Sequence, residues 1–260
     1  MSNSRSFDRA AGFYDQTRPL PESIAKPGIQ AILDITGPGA RALEVGTGTG
    51  RISIPLLEQG LDLIGCDLSS KMLRRLQEKF PAAPIAQSDA SALPFSRAGF
   101  TFVLTVHVLH LIPSWREVLR EIQRVLAPGG AYLNVTTWGS TGNSTRERIR
   151  LHWQEWLRTQ GINVGNPGIQ GREQLVAELQ SMGAQVTEVE VLRYPIVFTL
   201  RDQLKRFASR IFSDSWDVPD TIFEASVEEL RGWVEHEYGN LDQQLQDEVR
   251  FSIDIARFEG

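Results

Sequence analysis

Read for hydrophobicity alone, the chain alternates short β-branched runs with stretches whose apolar residues recur every three or four positions. That pattern predicts strands alternating with helices, the mark of a parallel sheet with helices on both faces. "RALEV" (41–45) reads as a buried strand, and a helix through "ISIPLLEQ" follows and ends at Gly60. Pro55 is acceptable only in that helix's first turn, where its missing N–H has no intrahelical partner. "LDLIGCD" (61–67) is a second strand; Ser69 or Ser70 caps the next helix, which sets Met72, Leu73, Leu76 and Phe80 on one face. "APIAQSD" (83–89) and "GFTFVLTVH" (99–107) read as strands three and four.

Ser114 and Glu117 have the S-x-x-E spacing of a capping box, and Val118, Leu119, Ile122, Val125 and Leu126 give a helical stripe behind them. "APGG" (127–130) is expected to end that helix and turn into strand five, "AYLNVTTW". Residues 139–171 become rich in Gly, Ser and Asn around a polar helix with Trp153 and Trp156, an excursion from the sheet. "REQLVAELQSM" before Gly183 is another helix, and "AQVTEVEVL" another strand. Residues 196–245 read as a mostly helical cap, and the alternation of "VRFSIDIARF" (249–258) suits a last strand with one more polar face.

Composition narrows the class. With 260 residues, 41% hydrophobic and 23% charged, the chain can bury one sizeable core. A formal net charge of −5 argues against nucleic acid or an anionic membrane as the main partner. Cys66 is the only cysteine, so neither an internal disulfide nor a thiolate metal cluster is expected, and Cys66 itself reads as packing. "MSNSRSFDRA" has no apolar h-region, and the run "TFVLTVHVLHLI" (101–112) is too short to span a bilayer. A cytoplasmic protein without membrane insertion is expected.

The chemistry begins at "RALEVGTGTGR" (41–51), a strand running into three alternate glycines, Gly46, Gly48 and Gly50, with Glu44 just ahead. Such a turn presents bare N–H groups and a helix end to a ligand. A dinucleotide fingerprint G-x-G-x-x-G would need its third glycine at position 51, which is Arg51. The observed G-x-G-x-G with an acid two residues before it resembles the cofactor loop of the class I methyltransferases that use S-adenosyl-L-methionine. Physically, an amino-acid tail with an ammonium group favours a nearby carboxylate, and a pyrophosphate does not. "DLSSKML" (67–73), "SDASALPF" (88–95), "RVLAPGGAYL" (124–133) and "FDRAAGFYDQTRP" (7–19) resemble further stretches of that family. The likeness is close over residues 7–138 and topological afterwards, nearest to the small-molecule branch called type 11, which includes quinone-ring C-methyltransferases.

The resemblance implies an α/β fold: a Rossmann-like seven-stranded, mostly parallel sheet, helices on both faces, an antiparallel last strand and a helical cap. It implies one methyltransferase domain over 1–260, with 1–40 as an N-terminal cover, 41–138 as the cofactor core and 172–195 and 246–260 completing the sheet. Glu44, Gly46, Thr47 and Gly48 would face the amino-acid tail. Asp67 would grip the ribose hydroxyls with Leu68 beside it, Asp89 would accept from the adenine amino group, and the Ala90 N–H would meet the ring. Tyr14 and Arg18 would fold over the cofactor, with Arg18 or a neighbour near its carboxylate. Met72 is read between core and cofactor wall.

His107 and His110 end strand four, where side chains face the cleft of an open parallel sheet. They lack a third partner for a metal, so no metal is expected; each is a candidate base, and His107 also a candidate cofactor wall. Tyr14, His110, Trp138 and Trp216 are candidate substrate contacts, whereas Trp233 reads as packing. Arg193, Arg201, Lys205, Arg206 and Arg210 read as a solvated helix face. The cofactor carries the reactivity of a methyl transfer, so the protein mainly aligns the nucleophile and excludes water. The absence of an N/D-P-P-Y/F stretch after strand four and of a Pro-Cys nucleophile points to a small-molecule acceptor rather than DNA. Two other readings stay open: a nicotinamide-dependent oxidoreductase, and a non-catalytic cofactor-binding regulator.

Overall fold

A computed structural model describes residues 6–140 and 144–258. In chain order the elements are α1 (Tyr14–Thr17), α2 (Glu22–Thr36), β1 (Arg41–Val45), α3 (Ser53–Glu58), β2 (Asp62–Asp67), α4 (Ser70–Lys79), β3 (Ile85–Gln87), β4 (Phe100–Val106) and α5 (Trp115–Val125). There follow β5 (Leu126–Ser140), α6 (Thr145–Thr159), α7 (Arg172–Ser181), β6 (Ala184–Thr199), α8 (Leu200–Ala208), α9 (Asp220–Tyr238) and β7 (Gln244–Phe258). The strands form one sheet in the order β3-β2-β1-β4-β5-β7-β6. Strands β3, β2, β1, β4 and β5 pair in parallel, and the last strands run antiparallel. This is the Rossmann-like arrangement expected.

The residues divide into two compact units: 1–137, 167–192 and 251–260 form the first, and 138–166 with 193–250 the second. In the first unit β1 lies between β2 and β4, and four of its five residues are buried. Helix α5 buries Trp115, Val118, Leu119, Ile122 and Val125 in one cluster with Leu43, Val103, Tyr132 and Leu179. At about 1.5–3 kcal/mol per buried large side chain, that stripe holds α5 without help from its caps. In the second unit Trp153, Phe207, Phe223, Leu230 and Val234 join α6, α8 and α9 around their own core. The Trp153 indole N–H donates to Ser226 Oγ at 2.9 Å, and Trp233 stacks on His152 at 4.0 Å between centroids. The excursion and the cap of the sequence reading thus contribute to one unit.

Several local expectations need correction. Ser114 makes no side-chain cap bond: its ψ of 34° is not the extended value that aims a hydroxyl at the third N–H, and Glu117 pairs with Arg120 at 3.1 Å. "APGG" does not separate α5 from β5. The ladder jumps from Phe100–Leu126 to Phe102–Ala131, so residues 127–130 bulge inside the strand. Strand β3 is only Ile85–Gln87, while β6 and β7 reach Thr199 and back to Gln244, leaving the cap shorter than 196–245. Of the basic stretch, Arg193, Arg201, Lys205 and Arg210 each pair with an acid, Glu248, Asp242, Asp202 and Asp220. Among the described residues no helix is long and apolar enough to cross a membrane.

Helix α2 offers a test of the first unit's packing. A Cβ built on Gly28 would lie 2.3 Å from Phe251 Cε2, and Phe251 is fully buried and cannot swing away. Alanine gains up to about 1 kcal/mol over glycine in a helix, but overpacking costs about 1–3 kcal/mol. Gly28→Ala should therefore destabilise by about 1–2 kcal/mol in denaturant titration; a stabilised variant would contradict this packing.

Candidate functional site

Where β1 ends, the chain turns back on itself through left-handed residues. Gly46 has φ 78°, and a Cβ there would lie 2.3 Å from Val108 Cγ2, so position 46 admits only glycine. The N–H groups of Gly46 and Thr47 donate to the Cys66 carbonyl at 2.8 and 2.9 Å, which fixes the turn to the end of β2. Gly48 N–H donates to Asp67 Oδ2 at 2.9 Å, while Asp67 Oδ1 accepts from Ser69 N–H at 2.8 Å. Ser69, not Ser70, caps α4 by accepting the Met72 N–H at 3.1 Å. Asp67 thus ties the glycine turn, the end of β2 and the start of α4 together.

Two carboxylates behave differently from surface acids. Glu44 is buried, and its Oε2 accepts from the hydroxyls of Thr47 and Ser53. Burial raises its pKa from 4.5 to about 7, against the opposing pull of those hydroxyls and of Arg51. Burial also raises Asp67, less the effect of the Ser69, Gly48 and Leu68 N–H groups. Asp89 is oriented by Ser91, whose N–H and Oγ donate to its Oδ1 at 2.8 and 2.7 Å.

Beside this turn a cleft of about 710 Å³, counted to its opening on solvent, is lined by Gly46, Gly48, Asp67, Leu68, Met72, Asp89, Ala90, His107, Phe7 and Tyr14 among others. A second cavity of about 280 Å³ is lined by Tyr14, Glu44, Gly46, Thr47, Gly48, Thr49, Arg51, Ile52 and Val106. The first has apolar walls with acids at its rim; the second is polar. The glycine turn, Asp67 and the Asp89 loop border the first cavity, and Glu44 and Thr47 border the second.

His107 has φ 56°, rare for a residue with a side chain. Its Nε2 accepts the Thr137 N–H at 3.0 Å and lies 2.8 Å from Thr137 Oγ1. A ring nitrogen accepting from a backbone N–H must carry a lone pair, so the imidazole is neutral with its proton on Nδ1. Burial holds its pKa well below 6.5, with Arg51, His110 and Arg18 adding to the effect.

The structure thus brings Tyr14, Glu44, Gly46, Thr47, Gly48, Asp67, Leu68, Met72, Asp89, Ala90 and His107 to these cavities. Arg18 is outside both linings, with its guanidinium carbon 5.1 Å from the Tyr14 ring centroid. His110 is outside them too, its ring 6.5 Å from that of His107. Trp216 belongs to the second unit, where its indole N–H donates to the Arg210 carbonyl at 2.9 Å. The Trp138 side chain lies outside the described residues. Cys66, read as packing, also faces the cleft, and burial pushes its thiol up to about 12. Val106, Val108, Leu111 and Ile112 were unmarked as lining because apolar strand-end residues look the same whether they face core or cleft.

The fold is the Rossmann-like fold of the methyltransferases. The family described as methyltransferase domain matches residues 43–134, from inside β1 to the middle of β5. Among relatives, the chain is similar to the biotin biosynthesis bifunctional protein BioHC of Cellvibrio japonicus, 29% identical over 205 residues, covering 76% of this chain and 38% of that protein. It is 34% identical over 127 residues to the demethylmenaquinone methyltransferase of Renibacterium salmoninarum, covering 48% of this chain and 54% of that one. The matches thus span less than two thirds of both relatives. The solved YcgJ protein of Bacillus subtilis has the same fold, with a TM-score of 0.62 at 14% identity over 90% of this chain and 98% of that one. The methyltransferase-domain match, the methyltransferase relatives and the shared fold together support a class I methyltransferase with S-adenosylmethionine as cofactor. Neither the oxidoreductase nor the non-catalytic alternative finds support.

Two measurements test this geometry. A charged hydrogen bond contributes about 1.5–3 kcal/mol, so Asp67→Ala should weaken cofactor binding on the order of ten- to a hundredfold in calorimetry. Unchanged affinity in a folded variant would remove the ribose assignment. Glu44 has a raised folded pKa, so the folded state holds its proton more tightly than the unfolded chain. Its stabilising contribution is complete below pH 4.5 and is lost as pH rises through about 7. Glu44→Gln should flatten the fall in stability across that window in urea titrations; an unaltered slope would mean Glu44 is not the group responsible.

Proposed function

We propose that the chain transfers the sulfonium methyl of S-adenosylmethionine to a small-molecule acceptor by in-line displacement. The observation that carries this reading is the three-glycine turn held by Asp67, opening on an apolar cleft with Asp89 at the adenine side and Glu44 beneath the polar end. When bound, the cofactor supplies an electrophilic methyl on sulfur, so the chain's own residues have binding and orientation to do. Asp67 accepts from the ribose hydroxyls, with Leu68 and Met72 against the sugar and base. Asp89 and the Ala90 N–H read the adenine edge. Glu44, Thr47 and the glycine backbone receive the amino-acid tail, and Arg18 or Arg51 its carboxylate.

His107 serves as a wall, because its Nε2 lone pair already faces the Thr137 N–H. A base enters only for an acceptor that must lose a proton, and His110 is then the residue proposed for it. Acceptor choice is assigned, on sequence grounds, to residues 139–171 and 196–245, with Tyr14, Trp138 and Trp216 as contacts. The name of one relative, a demethylmenaquinone methyltransferase, supports a small apolar acceptor as the first class to try. A cytoplasmic location is part of the same proposal, as is the absence of a nucleic-acid partner, which the net charge of −5 supports.

The test is ligand-dependent stability followed by turnover. S-adenosylmethionine or its demethylated product should raise the melting temperature, adding about 2.7 kcal/mol at a hundred times the dissociation constant, whereas NAD and NADP should not. Demethylated cofactor should then form only when an acceptor is supplied. A shift with NAD alone would overturn the reading.

A further inference from the structure

We propose that Asp8 and Asp15 are positioning residues that clasp residues 7–18 onto the cofactor loops and thereby set how long the cofactor stays bound. The proposal rests on the assignment of the cleft to S-adenosylmethionine. It starts from a question of stability. Residues 7–18 supply Phe7 and Tyr14 to the cleft, their rings packed edge to face at 6.2 Å and 82°. Yet the only helix in this segment, α1, is four residues long and buries none of them. A single helical turn does not hold itself in water, so the segment needs outside attachment.

Polar ties to the cofactor loops supply such attachment. Asp8 Oδ1 accepts from Ser69 Oγ at 2.5 Å, and Ser69 Oγ in turn accepts the Met72 N–H that begins α4. The Lys71 N–H also faces the Asp8 carboxylate, so Asp8 extends the cap of that helix from a distant part of the chain, where the helix end favours negative charge. Asp15 Oδ1 accepts from Thr49 Oγ1 at 2.5 Å, inside the glycine turn, and Asp15 Oδ2 pairs with Lys79 Nζ at 3.0 Å. A weaker tie runs from Arg51 Nη1 to the Arg18 carbonyl at 3.3 Å.

The placement of these ties gives them a role beyond fastening a terminus. Ser69 lies two residues beyond Asp67, and Thr49 lies between Gly48 and Gly50. The clasp therefore lands on the two loops that hold the ribose and the amino-acid tail, and lifting the segment frees both loops together with the Phe7–Tyr14 wall. The carboxylate–hydroxyl bonds are charge-assisted and carry the clasp. The Asp15–Lys79 pair is half exposed on both sides and adds little.

Cofactor-free hydrogen exchange and cofactor dissociation, measured on the full chain, test the two halves of the proposal. The variants are Asp8→Ala, Asp15→Ala, the double variant and Asp8→Asn, with S-adenosylhomocysteine as the probe in stopped flow. Because Asp15 is exposed and Asp8 only half-buried, the variants are expected to fold. Without cofactor, the double variant should exchange faster over residues 7–18. With it, dissociation should accelerate about tenfold, equivalent to one to two ordinary hydrogen bonds. Asp8→Asn keeps an oxygen for the Ser69 hydroxyl but not its charge, and should recover part of the slow dissociation that Asp8→Ala loses, which general loosening of the fold would not produce. Unchanged exchange over 7–18 would overturn the clasp itself. Faster exchange with unchanged dissociation would overturn its hold on the cofactor. Failure of the unaltered chain to bind S-adenosylhomocysteine would instead strike the cleft assignment, and the proposal with it.

Discussion

Gly46, Gly48 and Gly50 carry φ values of 78°, 57° and 85°, and the chain can turn this way at the end of β1 only because no side chain opposes it. The tight return lets two successive N–H groups reach the Cys66 carbonyl and a third reach Asp67. With Val108 packed on Gly46, the far wall of the cleft closes directly onto backbone. A methyl group at position 46 would push β4's exit loop away, and with it His107 and Val106. The cleft's shape, its polar end and the placing of Asp67 all depend on that one bare stretch of main chain.

The same constraint governs the electrostatics. Drawing the turn tight buries Glu44 beneath it, and burial rather than any charged neighbour sets its raised pKa. At the opposite wall, His107 takes a left-handed conformation that costs on the order of 1–3 kcal/mol, and its bond from the Thr137 N–H offsets part of this. The result is a neutral imidazole on the wall of the cleft. In the proposed complex a cationic wall there would oppose the cofactor's own charge, and the depressed histidine pKa avoids that.

Much of this was legible before the structure, for reasons particular to each residue. Glycines at alternate positions, Asp67 at a strand end and Asp89 after the next strand are signals of backbone need and of placement in a parallel sheet, and both survive in one dimension. The Ser114 capping box was legible and misleading, because spacing says nothing about ψ, and ψ decides where a hydroxyl points. The extensions of β6 and β7 were hidden because their outer ends mix polar and apolar residues without strict alternation. The partnership of His107 with Thr137 spans thirty residues and uses a backbone N–H, which every residue type except proline possesses. The hydroxyl partners of Asp8 and Asp15 likewise lie 61 and 34 residues away along the chain.

The central claim is that this cleft holds S-adenosylmethionine through the glycine turn and Asp67. The most direct measurement is a crystal structure with S-adenosylhomocysteine bound. The account predicts the ribose hydroxyls within hydrogen-bonding distance of Asp67, the adenine edge beside Asp89 and Ala90, and the amino-acid tail over Gly46–Gly48 near Glu44. Cofactor density elsewhere, or in the cleft with its ribose turned away from Asp67, would contradict it.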